Sequence, residues 1–292
     1  MPTYYKLSGK FDPSRTILAT IVVILLLPLL SFLYNMVNTF IPIIYANVFV
    51  AVGYGLLLGY SLRFIAGFGR VRNNQLLFGI GVVIVIIAIF TYWKAFVAYI
   101  YGDATVSFSN YVLSLVGDFP QMSFSSAISQ INEFGTWGIG ASSSSNISGA
   151  LLWLVWIGEM VIIGGIPLYM LFTRELHPYS EEKERFYDRF QLERGFSPIY
   201  AASKTLENLS QDPVQTLQEV PEGRAALYFL VSIYYLPGTK YGYLDIDKVS
   251  IGEKGKTESS AIIDNLQLAA ADARRVLDSY PHTKAGGISF LH

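Results

Sequence analysis

The chain has 292 residues, a net charge of -1 and a composition that is 52% hydrophobic, high for a protein that faces only water. A near-neutral chain carries no electrostatic footprint for nucleic acid, and the absence of cysteine excludes disulfides, thiolate metal sites, iron–sulfur clusters and a thiol nucleophile. The charges are uneven: 14 of the 21 Lys and Arg and 17 of the 22 Asp and Glu follow Phe172, which separates an apolar first part from a water-exposed second part.

Met1–Arg15 is short and polar, with Lys6, Lys10 and Arg15. The apolar run that follows shows no small-x-small cleavage pattern, so it reads as an uncleaved first span over about 17–38, with Pro28 as a candidate kink. Asn35, Asn38 and Thr39 mark a turnaround, and Pro42 suits the first turn of the next helix. The second span covers about 43–65. Ala51, Gly55 and Gly59 repeat every four residues along it, a small-residue stripe that lets another helix backbone approach within or between subunits. The third span covers about 76–98 and ends among Tyr92, Trp93, Lys94, Tyr99 and Tyr101. Lys94 there is expected to snorkel to the interface, as is Arg63 at the end of span two.

Residues 102–148 carry no Lys or Arg; Asp103, Asp118 and Glu133 are their only charges. Met122, Ile128, Ile131 and Phe134 predict a short amphipathic helix, and Ser142–Asn146 reads as a loop or cap before a fourth span over 149–172. Lys and Arg cluster in the N-terminus, in the 63–72 turn and after Arg174. The positive-inside rule then predicts a four-span helical bundle with both termini cytoplasmic, comprising residues 1–176, followed by a cytoplasmic α+β domain over 177–292.

Glu159 is the one ionisable group deep within a span. A charge at mid-bilayer costs about 2.5–3.5 kcal/mol on insertion scales, so it should face protein or water. Three roles fit: a hydrogen bond inside the bundle through Trp153, Trp156 or a tyrosine hydroxyl, an ion or proton path, or contact with a partner subunit. Spans one to three offer almost no other polar group at this depth, so a conducting path would require a ring of subunits.

In the second part, Glu181–Gly195 reads as a charged connector, Pro198–Leu209 as a helix, and Asp212-Pro213 as a break before a short helix to Val220. Ala226–Leu236 and Tyr241–Ile251 predict a hairpin about Pro237–Lys240 with one wet and one dry face. Asp245 and Asp247 fall on the wet face as solvated carboxylates, although a metal pair is conceivable. Ser260–Tyr280 predicts a helix with Ile263, Leu266, Ala270, Ala273 and Leu277 as its packing stripe, and the tail from Pro281 reads as loose. The tract from Gly252 to Thr257 lacks the glycine spacing of a phosphate loop. His177, His282 and His292 have no serine, carboxylate or ligand set at a meaningful spacing. No catalytic, metal or cofactor site is predicted.

Phe40-Ile-Pro-Ile-Ile-Tyr45-Ala-Asn47, the glycine-bearing span and Gly69-Arg-Val-Arg-Asn73 resemble the N-terminal part of an uncharacterised family of bacterial multi-span inner-membrane proteins. The resemblance covers residues 1–100 and implies a bacterial inner (cytoplasmic) membrane location. It carries over no activity and no functional residue.

The expected function is therefore non-enzymatic: a self-associating membrane scaffold or sensor, in contact with membrane lipid, that meets a cytoplasmic protein partner through residues 180–280. The alternative is a homo-oligomeric ion channel with Glu159 lining the pore. A membrane enzyme ranks below both, since it needs at least two cooperating polar groups at one depth.

Overall fold

The computed structural model describes residues 2–40, 44–101, 108, 111–112, 115, 123–136, 147–174, 177–199, 203–223, 227–251 and 256–285. Expectations for Pro42, Asp103, Asp118, Met122, Ser142–Asn146, Gly252–Gly255 and the tail beyond Ala285 lie outside these residues. The chain divides into two compact units, one of helices beginning at Leu7 and ending at Arg174, the other built on a sheet.

The helical unit contains α1 (Pro13–Phe40), α2 (Ile44–Phe68), α3 (Asn74–Tyr101), the short α4 (Phe124–Phe134) and α5 (Gly149–Phe172). All but α4 are long and apolar enough to cross a membrane, and they mark the protein as membrane-embedded. Their ends have local causes. Asp12 accepts the Arg15 backbone N–H at 3.1 Å ahead of Pro13, which removes no needed donor in the first turn of α1. Asn73 accepts the Leu76 N–H at 2.9 Å to start α3, and Ser123 accepts that of Ser126 to start α4. Apolar side chains such as Leu25, Ile86, Leu154 and Val161 point outward, as a lipid-facing surface requires. Pro28 and Pro167 sit inside continuous helices. Asn35 and Asn38 do not form a turnaround: α1 runs on to Phe40.

The basic residues after α2 fold back onto the start of α1. Arg70 adopts a positive φ of 47°, Arg72 donates its N–H to the Lys10 carbonyl at 2.8 Å, and Gly9 donates to the Arg72 carbonyl at 3.2 Å. The Arg174 guanidinium donates to Asn74 Oδ1 at 2.8 Å. Lys10, Arg70, Arg72 and Arg174 thus belong to one end of the bundle.

The sheet unit has five antiparallel strands in the order β6 (Thr257–Ala269), β5 (Tyr241–Ile251), β4 (Leu227–Tyr235), β3 (Asp188–Leu192), β7 (His282–Lys284). A small hairpin of β1 (Tyr179–Ser180) and β2 (Arg185–Phe186) precedes it, so the charged connector is extended rather than helical. Helices α6 (Ser203–Gln211), α7 (Pro213–Glu219) and α8 (Ala270–Ser279) place Leu209, Leu217, Ala273 and Val276 in a core with Val231, Ile233, Leu244 and Ile246. Tyr187, Tyr234, Leu236 and Tyr243 form a separate apolar cluster joined by Tyr5, so the strand face expected to be wet is covered.

Two boundaries differ from the sequence reading. Residues 257–269 are strand, not helix, and only 270–279 are helical. Leu244 pairs with Leu266 and Ile246 with Ile263, so the one residue between them on β5 faces two on β6. This bulge turns Ile263 and Leu266 inward at a spacing of three, which imitates a helical stripe. The N-terminus also changes allegiance: residues 2–6 join the sheet unit, where Tyr4 bridges Leu266.

Candidate functional site

Glu159 lies ten residues after Gly149 in α5, about 15 Å along the helix. It shares a helix face with the buried Leu152, Trp156 and Ile163 and therefore points into its own bundle. Tyr34 of α1 donates its hydroxyl to Glu159 Oε1, and Tyr92 of α3 donates to Oε2 at 2.6 Å. Both carboxyl oxygens are engaged by neighbours in the same chain. The tyrosines are themselves held in place: the Tyr34 ring stacks on Tyr54 at 4.9 Å and meets Tyr92 edge-on at 5.3 Å.

The polar contacts extend beyond the carboxyl group. Ser31 Oγ lies 2.8 Å from both the Tyr54 hydroxyl and Thr91 Oγ1. Asn35 Nδ2 donates to the carbonyls of Ser31 at 2.9 Å and Tyr92 at 3.2 Å. Tyr111, from the connection after α3, is buried and donates to the Thr91 carbonyl at 3.1 Å. Every long helix contributes, and each places at least one group at a similar level. Ser31 is nine residues before the end of α1, Tyr54 ten after the start of α2, and Thr91 and Tyr92 ten and nine before the end of α3. The result is a layer across the bundle, not a file of polar groups along it.

The sequence reading found Glu159 but not this layer. Spans one to three do carry polar groups at its depth, contrary to expectation. The tyrosines read as apolar in a hydropathy pattern, and Ser31, Asn35 and Thr91 are single residues in long apolar runs. A signal was present in the common distance of Ser31, Tyr54, Thr91, Tyr92 and Glu159 from the helix ends. Of the partners foreseen for Glu159, a tyrosine hydroxyl is the one used; Trp156 is fully buried and its Nε1 has no partner among the described residues. Beyond the layer, Ile21–Leu30, Gly55–Gly59, Leu76–Phe90 and Met160–Leu168 contain only apolar side chains, glycine and proline.

The small-residue stripe lies against α5 of the same chain. Ala51 is buried, and a Cβ on Gly55 would stand 3.1 Å from Ile166 Cβ and 3.2 Å from the Ile162 carbonyl oxygen. A Cβ on Gly59 would collide with the Met170 thioether. Lys94 does not snorkel outward: it is 6% exposed, with its ammonium over the rings of Phe90 at 5.8 Å and Phe124 at 5.3 Å. Arg63 is half-buried near the Met170 carbonyl. An apolar cleft of ≈ 410 Å³ runs between α3, α4 and α5, lined by Ile89, Phe90, Trp93, Phe124, Trp153 and Met160.

In the sheet unit Asp245 is buried at 7% exposure, which corrects its reading as a solvated carboxylate. Its Oδ1 accepts the Asn265 backbone N–H at 2.6 Å, and the Tyr234 hydroxyl also bonds it. Burial pushes the Asp245 carboxyl up to about 7; Asp264 adds to the rise, while the Asn265 N–H, Arg189 and Tyr234 oppose it. Asp247 pairs separately with Arg189 at 3.3 Å, so the two carboxylates are not a joint metal site. His177 Nδ1 lies 3.4 Å from the Tyr234 hydroxyl.

No family model, curated protein or solved structure matches this chain.

Proposed function

We propose that this protein is a non-enzymatic scaffold or sensor component of a bacterial inner membrane, in which a self-associating four-helix anchor presents its sheet domain to a cytoplasmic protein partner. The observation that carries this reading is the engagement of both Glu159 oxygens by Tyr34 and Tyr92 of the same bundle. A buried polar group satisfied within the chain locks helix packing and register. A pore-lining carboxylate would instead face a water-filled axis. The apolar half beyond the layer argues the same way, because ions would have to cross it without any polar group to replace their hydration.

Two further observations support the membrane arrangement. Tyr4, ahead of the first long helix, bridges Leu266, after the fourth, which supports a reading with both segments on one side of the membrane. The Lys and Arg clustered at one end of the bundle support reading that side as cytoplasmic. The cleft lined by Phe90, Phe124 and Trp153 suits a lipid acyl chain.

The test is reconstitution of the full chain into liposomes, with oligomeric state measured in native lipid particles. The expected result is proton and potassium flux equal to that of empty liposomes, for the natural chain and for Glu159→Gln alike, from a defined oligomer. Flux abolished by Glu159→Gln would replace the scaffold reading with the oligomeric channel.

A further inference from the structure

The cleft between α3, α4 and α5 is graded from one end to the other. Ile86, Ile89 and Met160 line its aliphatic end, while Trp93, Trp153 and Phe124 line the aromatic end, towards the close of α3 and the start of α5. Ile86 and Trp93 stand about 10 Å apart along α3. Ile86, Phe90 and Trp153 are exposed, so the cleft opens along the side of the bundle. Both long helices that form it are apolar enough to span a membrane, and the medium that meets its mouth is hydrocarbon.

A cation stands at the aromatic end. The rings of Phe90 and Phe124 lie 6.5 Å apart, and the Lys94 ammonium is 5.8 Å from the first centroid and 5.3 Å from the second. Both rings line the cleft. Lys94 is also the sole Lys or Arg between Arg72 and Arg174, so the positive charge of this whole stretch is placed here. The side chain is buried, but burial does not silence it. In a medium of low dielectric a charge is little screened, and one ring's thickness does not hide it from a group at the mouth of the cleft.

We propose that the cleft is a binding site for one anionic phospholipid, which lays an acyl chain between Ile86 and Trp93 and sets its headgroup at the Lys94 end. The site rests on the reading of the long helices as membrane spans and of the cleft as an acyl-chain groove, and it adds the charge of the lipid selected. A cleft of ≈ 410 Å³ falls within the usual range for small-molecule sites. Its grading matches the ligand: aliphatic side chains for the tail, and tryptophans at the level where rings meet headgroups. A free inorganic anion would have to enter through hydrocarbon and would meet an apolar lining. A zwitterionic lipid offers the same tail, but its headgroup brings a cation as well as a phosphate, and Lys94 repels the first as it attracts the second.

The cleft carries its own reporters. Of the four tryptophans of the chain, Trp93 and Trp153 line it, and Trp156 packs edge-on against both, at 4.9 Å and 5.1 Å. Trp137→Phe leaves these three as the only indoles. The full chain with this change is placed in phosphatidylcholine vesicles, and its fluorescence is quenched by added phosphatidylglycerol or phosphatidylcholine with brominated acyl chains. The expected result is an apparent affinity about two- to fivefold higher for brominated phosphatidylglycerol, the worth of one cation near a membrane surface. Lys94→Gln should bring the ratio to one, and Lys94→Arg should keep it. Ile86→Phe, at an exposed position that narrows the cleft, should reduce quenching by both lipids.

Equal quenching of the natural cleft by the two lipids overturns the proposal, and that result needs no variant at residue 94 to fold. A preference that survives Lys94→Gln overturns it too, as does quenching that Ile86→Phe leaves unchanged. The scaffold reading fails separately: an ion flux abolished by Glu159→Gln would remove that reading and leave this site standing, whereas a non-conducting protein with no lipid preference would do the reverse.

Discussion

Tyr92 of α3 and Glu159 of α5 are 67 residues apart in sequence and meet at 2.6 Å, hydroxyl to carboxyl, inside the bundle. In hydrocarbon neither group has water as an alternative partner, so the contact fixes how α3 and α5 rotate against one another. Tyr34 fixes α1 by the same carboxyl group.

Glu159→Leu should destabilise the bundle by about 1–3 kcal/mol, because it strands two hydroxyls rather than one. Tyr34→Phe and Tyr92→Phe added to Glu159→Leu should recover much of that loss. Detergent-titrated unfolding of the natural chain, Glu159→Leu and the triple variant checks it. A triple variant less stable than Glu159→Leu alone would show that the tyrosines act through something other than the carboxyl group.

Gly55→Val should cost about 1–3 kcal/mol, since the new Cβ meets the Ile162 carbonyl, backbone that cannot move aside as a side chain can. Gly59→Ala should cost less, because the flexible Met170 side chain faces it. Gly158→Ala, which meets nothing within 4 Å, serves as the neutral control. The order Gly55, Gly59, Gly158 in melting temperature is the measurement.

In the sheet unit Gly242→Val should be among the most damaging single changes, at about 2 kcal/mol or more. A Cβ there collides with that of Ala273, which is itself fully buried on the inner face of α8. Thermal melts followed by the β-sheet signal would read it, with the helical signal of the membrane unit as internal reference.

Asp245 makes the stability of the sheet unit depend on pH. The folded carboxyl keeps its proton up to about pH 7, whereas the unfolded one loses it near 3.8. The folded state therefore binds more protons in that interval, and stability falls as pH rises through it, by at most about 1.4 kcal/mol per pH unit, then stays level. Asp245→Asn should flatten this slope and leave the unit more stable than the natural chain at pH 8. Urea unfolding at pH 5 and pH 8 separates the two outcomes.

Local properties were readable from the order of residues. Four apolar runs, the depth of Glu159 and the amphipathic pattern of 124–134 follow from hydropathy and spacing alone, and α4 and the long helices appear where those signals stand. The β4–β5 hairpin is equally local, since its strands flank a Pro-Gly turn and pair in register with it.

The rest depended on which distant segments meet. Tyrosine presents a ring to hydrocarbon or a hydroxyl to a carboxyl, and only the placement of α1 and α3 beside α5 decided that Tyr34 and Tyr92 do the latter. The same applies to β6, where an inward spacing of three suits both a helix and a bulged strand. Pairing with β5 selected the strand, because Ile246 and Leu244 stood ready to cover Ile263 and Leu266. Asp245 alternates along β5 as a surface residue would. It is buried all the same, on the face where Tyr187, Tyr243 and Tyr5 cluster. Sequence determined what each segment could bury; tertiary pairing decided which polar groups were buried with it, since a polar side chain is tolerated inside only where a partner from another segment arrives.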